Sequence, residues 1–236
     1  MTQGDAGDPR TRLLADNLAA TRDRIRRAAT ASGRDPESVT LIVVTKTYPA
    51  DDVRRLVDLG VREFGENRVQ EAAAKSDDGA FAGACLHLIG QLQTNKAAQA
   101  VRYADAIHTL DRAKLVAPLA RASAATDRHP AILIQVSLDG DPARGGAPVA
   151  DVPALVESAL AAGLALRGVM AVPPLGTDPA RAFADLARIR ERVLKQAPAA
   201  TMMSAGMSAD LEAAVAAGAT HLRVGSAILG SRVRVG

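Results

Sequence analysis

Aromatic side chains are almost missing from this chain: three Phe, two Tyr and no Trp make up 2% of its 236 residues. A core of that size must then be filled by Ala, Val, Leu and Ile. Those residues suit helix-on-sheet interfaces, which favours an α/β architecture over an aromatic-rich sandwich. Cysteine occurs once, as Cys85 beside an apolar run, so an internal disulfide framework is excluded; the residue reads as small core filler, and a reducing cytoplasm is compatible. No run reaches ~18 consecutive apolar residues, and the amino end MTQGDAGDPRTR has no apolar signal core, so neither a membrane span nor a secretory leader is expected. Charge of one sign is scarce too, the formal net charge being +3. The arginines of RDRIRRAA read as a solvated helix face rather than a nucleic-acid arm, because no aromatics interleave with them. No His, Cys or carboxylate pair has metal-ligand spacing, and neither a Gly-x-Ser-x-Gly elbow nor a Gly-x-Gly-x-x-Gly turn occurs.

What is present is a regular alternation. Residues 1–10 read as an unstructured segment, after which Leu14, Leu18, Ile25 and Ala28 recur at helical spacing up to Gly33. Eight short apolar or β-branched runs then follow, at 39–45, 62–64, 86–90, 106–110, 131–138, 164–170, 200–204 and 221–225, with amphipathic stretches between them. Eight strand-then-helix units fit either a closed (β/α)8 barrel or an open doubly wound sheet. Continuous apolar runs such as LIVVT and AILIQV suit strands buried on both faces, and the missing dinucleotide turn argues against the open sheet. The expected fold is a single TIM-type barrel over residues 11–236 with an extra amino-terminal helix. Function is then expected at the carboxyl ends of the strands.

Lys46 stands at one such end, closing LIVVTK. A lysine there can snorkel, pair with a carboxylate or do chemistry. Other strand ends carry GEN (65–67), SAGMS (204–208) and RVGS (223–226), all small and rich in hydrogen-bonding groups. Ser204, Gly206 and Ser208 open one loop onto a helix, and Gly225 and Ser226 repeat the arrangement after the last run. Loops after the seventh and eighth strands commonly hold phosphate in barrels, although Ser208 could equally serve as an N-cap. A phosphate-bearing ligand beside a strand-end lysine suggests a carbonyl compound held as a Schiff base. An amine of ordinary pKa is neutral about once in 2,500 molecules at pH 7, and burial or a neighbouring cation such as Arg223 raises that fraction.

The segments VVTKTYP, FGENRVQE, LHLIGQLQTNK, LRGVMAVPP and SAGMSADLEAAVAAGATHLRVGSAILG resemble the pyridoxal phosphate homeostasis proteins, single-domain relatives of the alanine racemase amino-terminal barrel. The resemblance spans roughly residues 11 to 232. It implies that Lys46 forms an aldimine with pyridoxal 5'-phosphate. It further implies that Ser204, Gly206, Met207, Ser208, Gly225 and Ser226 hold the phosphate, that Asn67 approaches the cofactor, and that Arg223 faces the pyridine nitrogen, with phosphate contact as its second option. Ser226 stands where the family has threonine, and Arg144 where relatives often have a lysine, so a second imine-forming lysine is not carried over. The implied role is holding and buffering the cofactor in the cytoplasm, as a monomer that serves pyridoxal-phosphate-dependent apoenzymes, without committed catalysis and without nucleic-acid or membrane partners.

A weak amino-acid racemase is the alternative. It would need a second acid-base group, supplied in alanine racemases by a tyrosine of another domain; Tyr48 and Tyr103 do not match that role. A Schiff-base aldolase would need a proton relay around the lysine, and a protein scaffold would need no Lys46 at all. Of the remaining polar residues, His87 could face the barrel interior or be an ordinary core histidine. Asn95 and Lys96 could simply start the third helix after the first, and Glu66 and Glu71 read as surface or loop partners.

Overall fold

The computed structural model describes residues 8–141 and 144–230. Residues 1–7 of the segment expected to be unstructured lie outside the described residues, as do Pro142 and Ala143 beside Arg144, and residues 231–236. Helix α1 (Pro9–Ala31) begins two residues before the expected Thr11, because the Asp8 carboxylate accepts the Arg10 amide and Pro9 fills the first helical position. Its inner stripe of Leu14, Leu18, Thr21, Ile25, Ala28 and Ala29 is buried. Each large aliphatic residue in that stripe stabilises the fold by about 1.5–3 kcal/mol.

The strands are β1 (Thr40–Val44), β2 (Glu63–Glu66), β3 (Cys85–Leu88), β4 (Ala106–Leu110), β5 (Ala131–Ser137), β6 (Ala147–Pro148), β7 (Leu166–Met170), β8 (Met202–Ser204) and β9 (His221–Val224). All eight expected runs are strands; β6, two residues pairing with the end of β5, was not anticipated. The parallel order β4-β3-β2-β1-β9-β8-β7-β5 is closed by pairing of β4 with β5. The ring is thus an eight-stranded barrel. Helices α2 (Ala50–Asp58), α3 (Val69–Asp77), α4 (Ala97–Tyr103), α5 (Val116–Thr126), α6 (Val152–Ala161), α7 (Pro179–Gln196), α8 (Leu211–Ala216) and α9 (Ser226–Leu229) follow the strands. Thr94–Lys96 forms a 3-10 turn leading into α4, which accounts for Asn95 and Lys96.

Most of the apolar core lies between sheet and helices, where Val43, Phe64, Leu86, Leu88, Ile107 and Leu222 are buried. Cys85 departs from its expectation: it is exposed, because it opens β3 at the amino end of the barrel. No helix among the described residues is long and apolar enough to cross a membrane.

Candidate functional site

The register between strands sets the interior. Pairing of Ile42 with Arg223, and of Gly65 with His87, brings polar side chains from several strands into the ring. At its carboxyl end opens a cavity of about 470 Å³. Lys46, Met207, Ser208, Arg223, Gly225 and Ser226 line it together with Tyr48 and the apolar Val44 and Ile89. Six of the nine residues expected at the site therefore meet around one space. A second hollow, about 330 Å³ at the other end of the strands, carries Arg22 and Arg62, but both already donate to backbone carbonyls, of Gly60 and of Val57 and Val61 respectively.

The other three expected residues stand just outside. Ser204 is fully buried, its hydroxyl turned into the barrel. Gly206 has φ +92°, and a Cβ there would lie 2.5 Å from the Ala214 Cβ, so glycine is needed to let the loop cross α8. Asn67 is half-buried after β2, and its carbonyl oxygen would lie 2.1 Å from a Cβ on Gly90. The two Gly-Ser loops touch: the Ser226 hydroxyl is 3.3 Å from the Ser208 hydroxyl, which also accepts the Ala227 amide at 3.4 Å. The Met207 amide donates to Asp210 at 2.6 Å.

Helix α1 supports these loops from behind. Arg24 donates to the Ser208 carbonyl at 3.2 Å and pairs with Glu212. Arg10 and Asn17 reach the carbonyls of Leu229 and Ile228, at 3.1 and 3.0 Å, and the Tyr48 hydroxyl donates to Gly230 at 2.7 Å. The sequence displayed Arg24 only as one of a group of helix-face arginines. Arg144 pairs with Asp139 at 2.8 Å and donates to the Pro173 carbonyl at 2.6 Å, tying together the loops after β5 and β7.

Beneath the cavity runs a buried polar chain. Arg223 donates to the Ser204 hydroxyl at 2.7 Å; Ser204 is 3.0 Å from His108 Nδ1; His108 Nε2 is 2.9 Å from His87 Nδ1; and His87 Nε2 is 2.6 Å from Glu63. The Glu63 carboxylate can only accept, so with one proton on each ring His87 Nε2 donates to it, His108 Nε2 donates to His87 Nδ1, and the Ser204 hydroxyl donates to His108 Nδ1. Both imidazoles thus carry the proton on Nε2, and every donor points from Arg223 toward Glu63. Burial, with His87 and Arg223 nearby, holds the pKa of His108 well below the usual histidine range; burial takes His221 down to about 4. Burial also lowers Arg223 to about 10, so it is still a cation at neutral pH. His87 is thus a core histidine facing the barrel interior, and His108 and His221 are members of this layer that hydrophobic patterning did not single out.

Of the two positions expected for Glu66, surface or loop partner, burial excludes the first and a bond to Thr45 supplies the second. The residue is fully buried, 2.6 Å from Lys75 Nζ and 2.7 Å from the Thr45 hydroxyl. Burial raises its pKa, and the ammonium and hydroxyl only partly oppose this. Among the described residues, no group of three or more His, Cys, Asp or Glu could hold a metal ion.

Comparison with known proteins places this geometry in a lineage. Residues 17–233 match the family described as "Alanine racemase, N-terminal domain". A Mycobacterium tuberculosis protein named pyridoxal phosphate homeostasis protein is 41% identical over 240 residues, covering 93% of each chain. The structure of PipY from Synechococcus elongatus, solved without PLP, superposes with TM-score 0.82 at 37% identity, covering 92% of this chain and 100% of PipY. Its PLP-bound form gives TM-score 0.78 at 36% identity with the same coverage.

Proposed function

Because this chain belongs to the alanine racemase N-terminal domain family, and within it to the pyridoxal phosphate homeostasis proteins, we propose that it binds pyridoxal 5'-phosphate reversibly through Lys46 and buffers the cofactor without committed chemistry of its own. The observation that carries this reading is the single cavity wall on which Lys46, two adjoining serine loops and a buried guanidinium converge. These groups fit the cofactor's parts. Ser208, Gly225 and Ser226 present hydroxyl and backbone groups suited to a phosphate, Val44 and Ile89 present apolar surface to a ring, and Lys46 presents a primary amine to an aldehyde. When bound, the cofactor supplies an aldehyde carbon that an amine can join reversibly.

Each residue then has a physical task. Lys46 stands half-buried just beyond the apolar end of β1, where it lines the cavity. Met207 and Ser208 close one side of the phosphate end, with Gly206 setting the course of their loop and Asn67 bordering the site from β2. Arg223, anchored by Ser204 and by the Ala171 carbonyl at 2.9 Å, turns a permanent cation toward the ring position. A guanidinium has no readily lost proton, so it leaves a pyridine nitrogen unprotonated and weakens any stabilisation of carbanions. The Tyr48 phenol on the wall already donates to Gly230. Both features support holding over catalysis.

The reading includes a cytoplasmic monomer that exchanges cofactor with apoenzymes. The name its relatives carry supports the homeostatic role. Adding the cofactor to purified protein should develop a visible absorbance band, and borohydride should then fix the label on the peptide containing Lys46. Lys46→Ala should abolish both signals. A wild type that stays colourless, or a label on another lysine, defeats the proposal.

A further inference from the structure

Thr45 to Tyr48 form a tight turn, closed by the Tyr48 amide donating to the Thr45 carbonyl at 3.1 Å. Thr47, third in that turn, has φ +68°, the only non-glycine residue besides Asp127 with positive φ among the described residues. This is the type II pattern, whose third position ordinarily takes glycine, and a β-branched residue there costs about 1–2 kcal/mol. Lys46 occupies the second position. Something must hold the turn in this strained shape.

Three side chains do so from both sides. The Thr45 hydroxyl donates to Glu66 at 2.7 Å, Lys75 Nζ donates to the Thr45 carbonyl at 2.8 Å, and the Thr47 amide donates to Glu71 at 2.5 Å. Lys75 joins the two carboxylates, lying 2.6 Å from Glu66 and 2.8 Å from Glu71. The arrangement is poor as a stabilising device, since a buried ion pair is seldom better than an apolar pair of the same volume, and Glu66 Oε2 is buried with no hydrogen-bond partner. Its bonds go instead to the two residues flanking Lys46.

We infer that Glu66, Glu71 and Lys75 form a positioning cluster that fixes the turn around Lys46 and aims its amine into the cavity. This rests on Lys46 being the residue that joins the cofactor. None of the three lines the cavity; the cluster acts through the Thr45 hydroxyl and carbonyl and the Thr47 amide. Glu66 and Lys75 secure the turn to β2 and α3, and the half-buried Glu71 supplies the acceptor that holds Thr47 in the left-handed region.

Two ligands separate positioning from general damage: pyridoxal 5'-phosphate, which can join the amine, and pyridoxine 5'-phosphate, which has the same ring and phosphate but no aldehyde. Glu71→Ala, at the cluster's partly exposed edge, should lower the borohydride-trapped fraction at Lys46 about tenfold at equal occupancy, the effect of losing a hydrogen bond to a charged acceptor. Its affinity for pyridoxine 5'-phosphate should stay at the wild-type value. Glu71→Gln keeps an oxygen for the Thr47 amide and should restore trapping. The paired change Glu66→Leu with Lys75→Met removes both buried charges together and should reproduce the loss. Wild-type trapping in Glu71→Ala, or an equal fall for both ligands, overturns the inference alone. A wild type that is never trapped at Lys46 overturns the binding proposal and the inference with it.

Discussion

Gly206 combines a left-handed backbone with a crowded site. The family resemblance implies that its backbone holds phosphate, and the fold sets it at φ +92° against Ala214 and Leu222. Substitution by alanine meets both a left-handed backbone and an overfilled space. Gly206→Ala should therefore lose about 3 kcal/mol of stability, read as a lower urea midpoint with unchanged slope. The Ser204 hydroxyl is committed between Arg223 and His108, so its influence on a ligand passes through the guanidinium.

Helix α1 was legible as a helix from its apolar spacing, but neither its Asp8-Pro9 start nor its contribution to the site was. Arg24, Asn17 and Arg10 meet carbonyls 184 to 219 residues away in the chain, in the loop that carries Ser208 and in α9, which begins at Ser226. Periodicity identifies which face of a helix is buried; it cannot say which distant carbonyls the polar edge will find. Arg24→Ala should weaken pyridoxal 5'-phosphate binding about fivefold, in keeping with one lost hydrogen bond, while leaving the affinity for unphosphorylated pyridoxal unchanged. Equal weakening of both ligands would show that the helix steadies the ring or the lysine instead. Equilibrium dialysis of the two compounds measures the difference.

The barrel as a body carries histidines that burial keeps neutral, and acid should find them. For His108 and His221 the folded pKa lies below the free value of about 6.5, so their contribution to stability is complete above that pH. Below about 6.5 the unfolded chain takes up protons that the folded chain refuses. Each histidine then removes up to about 1.4 kcal/mol per pH unit as pH falls, for His221 until pH about 4. Glu66 runs the other way: its pKa is raised, so its contribution is present at low pH and lost as pH rises through the folded value. Urea unfolding at steps from pH 7 to 4.5 should show stability falling with acid, and His221→Asn should flatten the slope. A slope unchanged in that variant would mean the residue is protonated in the fold.

The barrel, its strand count, and the placement of Lys46 with the two Gly-Ser loops at strand ends were legible along the chain, because a buried parallel strand writes itself as a continuous apolar run and a turn as small, polar residues. Alternation also hinted that His87 faces inward. Only closure of the ring joined Glu63, His87, His108, Ser204 and Arg223 into one directed chain, and only packing of α3 on β2 decided that Glu66 and Glu71, readable as surface or loop partners, support the lysine's turn. Local propensity acts over a few residues and leaves its mark in a single stretch of sequence. A buried polar group is defined by partners that arrive from other strands and helices, and those meet only when the fold is complete.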